Sequence, residues 1–206
     1  YSIGVANATD GLEISWMALN LRQGDEVICS AHTMLATASS IKIAGGIPIP
    51  VEIGDDNLID PDAIEASITS RTVGIMPTQL NGRTCDMDRI MEIANKYKLY
   101  VVEDAAQALG SKFKGKNAGT FGHASAISFF PAKVLGCFGD GGAILCQDKT
   151  IFDRAYQLHD HGRDKDGNVK SWGRNSRLDN FQASILNFNL KSYENVIQRR
   201  RNIASK

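Results

Sequence analysis

Lys133 sits in an apolar, glycine-flanked stretch that runs from Ser128 through Phe129, Phe130, Pro131 and Ala132 and is followed by Gly139-Asp140-Gly141-Gly142. Taking a lysine out of water disfavours its ammonium form. A neutral amine is a nucleophile toward a carbonyl carbon, including the aldehyde of pyridoxal phosphate. Upstream, the apolar run Val101-Val102 leads into Glu103-Asp104-Ala105-Ala106-Gln107. An aspartate ending a buried strand suits the pyridinium nitrogen of that cofactor, the usual companion of its lysine. Two such parts in one chain favour a cofactor site over a surface lysine.

Positioning these groups falls to alternating strands and helices. Extended segments are expected at 2–6, 25–30, 47–53, 72–76, 99–102, 124–130 and 142–146. Helical spacing marks 9–20, 33–44, 61–67, 86–98, 149–159 and one long helix over 178–204. The clearest case is 86–98, with apolar Met87, Ile90, Ile93 and Ala94 along one face. Asp60-Pro61 reads as an N-cap with proline at the first helical position. Repeated strand–helix–strand units predict an α/β fold, a three-layer domain with a mostly parallel central sheet. In such sheets ligands bind beyond the carboxyl ends of the strands, where Asp104 and Gln107 fall. Residues 163–174 are polar and glycine-containing and read as a surface loop.

Composition narrows the classes. Lysine plus arginine (23) balances aspartate plus glutamate (23), the hydrophobic fraction is 43% and the charged fraction 22%. This is ordinary for a soluble globular chain and gives no sign of nucleic-acid or membrane-surface binding. Arg199-Arg200-Arg201 reads as a solvated helix face, with a phosphate or partner contact as the minor alternative. No signal-peptide pattern opens the chain and no uncharged apolar run is long enough to span a bilayer, so a cytoplasmic protein is expected. The chain opens inside an apolar segment without methionine, as an excised piece would. Cys29, Cys85, Cys137 and Cys146 form no Cys-x-x-Cys pair, and His32, His123, His159 and His161 share no ligand spacing, so a metal site is not expected. Cys29 and Cys146 read as small hydrophobes; Cys137, near Lys133, reads as a packing residue with exposure to the site as the alternative.

Other motifs were weighed against plainer readings. The segment Gly110 to Asn117 nearly matches a P-loop, but asparagine stands where serine or threonine should hold magnesium. A basic hairpin turn around Gly115 accounts for it better. The glycines at 136, 139, 141 and 142 lack the dinucleotide spacing and read as a tight turn over the lysine loop. Asn7-Ala8-Thr9-Asp10 opens a helix after a strand. Free N–H groups there, with the Thr9 hydroxyl, suit a phosphate, although a plain N-cap reads as well. Ser128 could add a hydroxyl to the same phosphate.

Taken in order, these segments resemble the DegT/DnrJ/EryC1/StrS group of fold type I, pyridoxal-phosphate-dependent sugar aminotransferases. The matching pieces include Asn7 to Asp10, Gly24 to Ile28, His32-Thr33, Ala36-Thr37-Ala38, Ile59-Asp60-Pro61, Glu103 to Gln107, Ser128 to Lys133, Gly139 to Gly142, and Asn175 to Asp179. The resemblance runs along essentially the whole chain.

It implies specific roles. Lys133 would bind the cofactor aldehyde covalently and later move the substrate proton. Asp104 would hold the pyridinium nitrogen and Gln107 the phenolic oxygen. Ala8, Thr9 and Ser128 would cradle the phosphate, and Asn175 would reach the phosphate of the other subunit's cofactor in a homodimer with shared sites. The family commonly stacks an aromatic residue on the cofactor ring directly after the threonine of His32-Thr33; here that residue is Met34, whose thioether can still pack on a ring. The implied activity moves an amino group from glutamate to a nucleotide-linked keto sugar, as in amino-sugar, polysaccharide and lipopolysaccharide biosynthesis. A dehydratase relative with histidine in place of the lysine, or a regulatory cofactor-binding protein, is the alternative. Residues 1–180 would form the cofactor domain, and 181–206 a long helix leading toward a small C-terminal domain.

Overall fold

The computed structural model describes residues 1–206. Nine strands and seven helices follow in the order β1 (Ser2–Val5), α1 (Ala8–Ala18), β2 (Glu26–Ser30), α2 (Leu35–Ile43), β3 (Ile47–Val51), α3 (Pro61–Ala66), β4 (Thr72–Met76), α4 (Met87–Tyr97), β5 (Tyr100–Asp104), β6 (Lys112–Phe113), β7 (Lys116–Asn117), β8 (Ala124–Ser128), β9 (Gly142–Cys146), α5 (Lys149–His159), α6 (Asn180–Leu190) and α7 (Tyr193–Ala204). Seven strands make the central sheet in the order β1-β9-β8-β5-β4-β2-β3. β9 runs antiparallel to both of its neighbours, and the pairs from β8 to β3 are parallel. The expected α/β architecture, mostly parallel with helices on both faces, is therefore the one observed.

The central strands are buried on both sides, so their residues alternate between two cores rather than between core and water. Ile28, Ile75 and Val101 face one core with Ile64, Met87, Ile90 and Ile93 of α3 and α4. Val27, Cys29, Met76 and Val102 face the other with Leu12, Trp16 and Ile41 of α1 and α2. Beside the second core, Ile3, Val5 and Ile144 pack against Ile14 of α1 and Ala155 and Leu158 of α5. Each large apolar side chain buried this way stabilises the fold by roughly 1.5–3 kcal/mol. α4 shows how one segment specifies its ends. The Asp86 carboxylate accepts the Arg89 N–H at 3.2 Å, and Lys98 closes the helix in the left-handed region at φ 57°. Met87, Ile90, Ile93 and Ala94 form its buried stripe.

Most expected elements form within a residue or two of their predicted bounds. The long helix predicted over 178–204 is instead two helices. Ser192, between them, has φ −106° and ψ 2°, and its hydroxyl donates to the Asn189 carbonyl at 3.1 Å. A serine that bonds its own backbone competes with the helix ladder. The second helix is anchored elsewhere, by the Tyr193 hydroxyl donating to the Leu109 carbonyl at 2.8 Å. Residues 181–206 are thus not a single long helix, and Leu186 of α6 packs on Leu135 and Cys137 of the preceding domain. The strand read over 124–130 ends at Ser128, and the helix read from Thr33 begins at Leu35. The segment that resembles a P-loop is a two-stranded hairpin turning through Lys114 and Gly115, both at positive φ, as twisted two-residue hairpins require.

Candidate active site

The carboxyl ends of the parallel strands converge on one edge of the sheet. β5 ends at Asp104 and β8 at Ser128. Beyond β8 the chain folds into a compact loop. The Phe129 carbonyl accepts the Cys137 N–H at 2.8 Å and the Phe130 carbonyl accepts the Lys133 N–H at 2.9 Å. Two glycines are required by the folding of this loop. A Cβ on Gly136 would lie 2.7 Å from the Pro131 carbonyl oxygen, and one on Gly141 would lie 2.9 Å from the Cys137 sulfur. Cys137 is buried, its thiol directed at the Phe129 and Gly139 carbonyls, so packing is its role and exposure to the site is excluded. The four cysteines are free and buried.

This loop presents Lys133 to a cleft of about 620 Å³ that Ser128, Gln107, Ala106 and Asn81 also border. That size is ordinary for a small-molecule site. Gln107 accepts the Asn81 N–H at 2.9 Å through its amide oxygen, which leaves its amide nitrogen to donate. Asp104 is only 4% exposed. Its Oδ2 accepts the Thr37 hydroxyl at 2.7 Å and its Oδ1 the Ala106 N–H at 3.2 Å. Burial raises its carboxyl above the ordinary range, opposed by the Thr37 hydroxyl, the Ala106 N–H and the positive charge of Lys133.

Ala8 and Thr9 open α1, capped by the Asn7 side chain accepting the Asp10 N–H at 2.8 Å. The first N–H groups of a helix have no partner within it. Gly142 seats this helix start: a Cβ there would come within 2.8 Å of the Ala8 nitrogen. Gly142 pairs in register with Ser128, so the α1 N-terminus and the Ser128 hydroxyl lie about one strand apart. Lys133, Gln107 and Ser128 thus border one cleft, Asp104 ends the strand beside β8, and Ala8 and Thr9 open the helix that rests on Gly142. Two expected residues stand elsewhere. Met34 caps α2, is 62% exposed and accepts the Ala36 N–H at its sulfur; it does not border the cleft. Asn175 is exposed, bridges to Asp160, and precedes Ser176, whose hydroxyl accepts the Ala6 N–H at 3.1 Å; it too lies outside the cleft.

Other residues at the site escaped sequence reasoning. Arg200 and Arg201 of α7 border the same cleft as Lys133, so it has three cations and no carboxylate on its rim. Their run had read as a solvated face, and the arginines are indeed exposed; only the anchoring of Tyr193 turns them toward the lysine. Thr37 donates to Asp104 and is linked through Thr33 to Thr78, and no spacing in the sequence announces this meeting of two separate segments.

Similarity to known proteins agrees with this arrangement. Residues 1–206 match the DegT/DnrJ/EryC1/StrS aminotransferase family. A UDP-2-acetamido-2-deoxy-3-oxo-D-glucuronate aminotransferase from Pseudomonas aeruginosa is 42% identical over 206 residues, 100% of this chain and 57% of that protein. A dTDP-3-amino-3,6-dideoxy-alpha-D-galactopyranose transaminase from Aneurinibacillus thermoaerophilus is 44% identical over 207 residues, with the same two coverages, 100% and 57%. The crystal structure of ntda from Bacillus subtilis with bound cofactor pmp superposes with a TM-score of 0.84 at 39% identity, over 90% of this chain and 43% of that one. The chain spans somewhat over half the length of the curated relatives it matches. With the fold, the lysine loop and the full-length match in agreement, the chain belongs to the DegT/DnrJ/EryC1/StrS aminotransferase family.

Proposed function

We propose that this chain is the cofactor-binding part of a pyridoxal-phosphate-dependent aminotransferase that moves an amino group, with glutamate as donor, to the ketone of a nucleotide-linked sugar. The observation that carries the reading is that the paired strands β5 and β8 end side by side, one at the buried Asp104 and the other at Ser128, which leads into the loop that brings Lys133 to the cleft. The residues present fit the cofactor. A carboxylate has about four acceptor sites, and Asp104 has spent two, leaving capacity for a pyridinium N–H. The α1 N-terminus with Thr9 and Ser128 suits a phosphate, and the cationic rim of the cleft suits anionic ligands.

When bound, pyridoxal phosphate supplies an aldehyde for the lysine and a ring that serves as an electron sink. Lys133 would be the nucleophile, and also the general base and acid that carries a proton at its Nζ. Asp104 would hold the ring nitrogen charged. Gln107, whose amide oxygen is taken by the Asn81 N–H, would donate through its amide nitrogen to the ring oxygen. For Met34, exposed and outside the cleft, a role at the ring face rests on the family resemblance alone.

Asn175 lies away from the cleft of its own chain, which fits a role toward a second copy. On either side of it in the chain, large apolar side chains are left in water: Trp172 is 95% exposed, and Val169, Phe181 and Phe188 are exposed as well. Such exposure marks an interaction surface, read here as the face of a homodimer with shared sites. Four unpaired thiols accord with a reducing, cytoplasmic setting, and no helix is long and apolar enough to cross a membrane.

The test is the absorbance spectrum of the full-length protein with pyridoxal phosphate, before and after glutamate. The expected result is a lysine-bound cofactor band that glutamate converts to the amine form and that Lys133→Ala abolishes. A wild-type band that glutamate leaves untouched would favour a non-transferring or regulatory relative. No band at all would overturn the cofactor reading.

A further inference from the structure

Three threonine hydroxyls connect in series behind the buried carboxylate. Thr78 Oγ1 lies 2.9 Å from Thr33 Oγ1, which lies 2.6 Å from Thr37 Oγ1, which donates to Asp104 Oδ2 at 2.7 Å. Thr37 and Thr78 are buried. A hydroxyl has one proton to give. If Thr37 gives its proton to the carboxylate it must accept from Thr33, which in turn must accept from Thr78. The polarity of the whole chain is therefore fixed while Asp104 is ionised, and hydrogen bonds in series strengthen one another.

The chain also closes on itself. Beyond β4, Thr78 bridges to Asp104 through the backbone. The Pro77 carbonyl accepts the Asp104 N–H and the Asp104 carbonyl accepts the Gln79 N–H, each at 2.9 Å. One side of the ring is thus peptide and the other side hydroxyl, and it ties together the ends of β4 and β5 and the entry to α2. Thr33 immediately precedes Met34, so the loop that enters α2 is tied through Thr33 and Thr37 to the carboxylate.

We propose that Thr37, backed by Thr33 and Thr78, is a positioning residue: it keeps Asp104 ionised and aimed at the cofactor's ring nitrogen, and it couples the Met34 loop to that carboxylate. The proposal rests on the cofactor reading above. Without the Thr37 hydroxyl, Asp104 would keep the Ala106 N–H alone, in a place where burial already opposes its charge.

The test uses the full-length protein and compares Thr37→Val, Thr37→Ser, Thr33→Val, Thr78→Val, Asp104→Asn and the double variant of Thr37→Val with Asp104→Asn. Three quantities are read: cofactor affinity of the apoprotein, the pH dependence of the bound-cofactor absorbance, and the carboxyl ¹³C titration of Asp104 in the apoprotein. A hydrogen bond to a charged group predicts that Thr37→Val weakens cofactor binding by about tenfold to a hundredfold and moves the Asp104 midpoint upward. Thr37→Ser should stay within about threefold of wild type, since it keeps the hydroxyl, and Thr33→Val and Thr78→Val should fall between. In the Asp104→Asn background Thr37→Val should cost little more, because the two act through one bond. The proposal is overturned if Thr37→Val matches wild type in all three readouts, or if it costs as much without the carboxylate as with it. Should Thr37→Val not fold, the two upstream variants decide, and wild-type behaviour in both would overturn the chain. A wild-type protein that binds no cofactor at Lys133 would instead sink the underlying reading.

Discussion

Glu103 and Asp104 are neighbours on β5, both buried, and they point to opposite faces of the sheet with opposite treatment. The Glu103 carboxylate accepts four donors: the backbone N–H groups of Gly119, Phe121 and Gly122 and the side-chain amide of Gln79, at 2.7–2.8 Å. Asp104 accepts two, and burial raises its carboxyl. The saturated carboxylate has nothing left to offer a ligand; it shapes the 119–122 turn. The under-served one has two fixed donors, the Thr37 hydroxyl and the Ala106 N–H, and keeps acceptor capacity that the proposed ring nitrogen would use. Burial of a carboxylate does not by itself separate these two residues; the number of donors each already has does.

The sharpest way to break this contrast is Glu103→Leu. Four donors would lose their acceptor in a dry site, a loss of about 3–5 kcal/mol of folding stability, measurable by urea unfolding. An unchanged midpoint would refute the structural role. Next is Asp104→Asn, expected to lower kcat/KM on the order of a hundredfold while leaving the thermal midpoint of the apoprotein equal or higher, since a buried charge is removed. A large loss of stability in this variant would erase the distinction between the two carboxylates. The pH response sharpens it further. A carboxyl raised on folding binds its proton more readily in the native state, so unfolding releases it. The Asp104 contribution to apoprotein stability is therefore full below the ordinary value of 3.8 and declines as pH rises above it. Subtracting the Asp104→Asn curve from the wild-type curve should isolate that slope; a slope of the opposite sign contradicts the burial argument. The smallest effect is a control far from both groups. Lys98→Gly at the left-handed end of α4 should stabilise by about 0.5 kcal/mol with no change in cofactor binding.

What the sequence disclosed, and what it hid, follows the range of the interactions. β4 over 72–76 and α5 over 149–159 were readable to the residue because local periodicity and flanking caps decide them. The burial of Asp104 at a strand end was readable because the apolar run before it implies a buried strand. The break at Ser192 was not, because the contact that redirects α7 is Tyr193 with Leu109, far away in the chain. The turn of Arg200 and Arg201 toward the cleft depends on the same contact. The threonine chain was invisible for a similar reason: its members come from two segments more than forty residues apart, joined by |i−j| of 45 between Thr33 and Thr78. The role of Glu103 was also missed, since an acidic residue beside a functional aspartate gives no hint of the turn it organises.

The pairing of β1 with β9 has a consequence for the order of assembly. Ser2 meets Leu145 and Val5 meets Gly142, and β1 has no other strand neighbour. A ribosome adding roughly 5–20 residues per second delivers Leu145 on the order of ten seconds after Ser2. For that interval the first strand has nothing to pair with, while β2, β3 and β4 can already begin to associate around α2. The start of α1, which bears the proposed phosphate site, also waits, because Gly142 is the surface it rests on. The corner formed by β1, the start of α1 and β9 is therefore among the last parts of the sheet to close during synthesis.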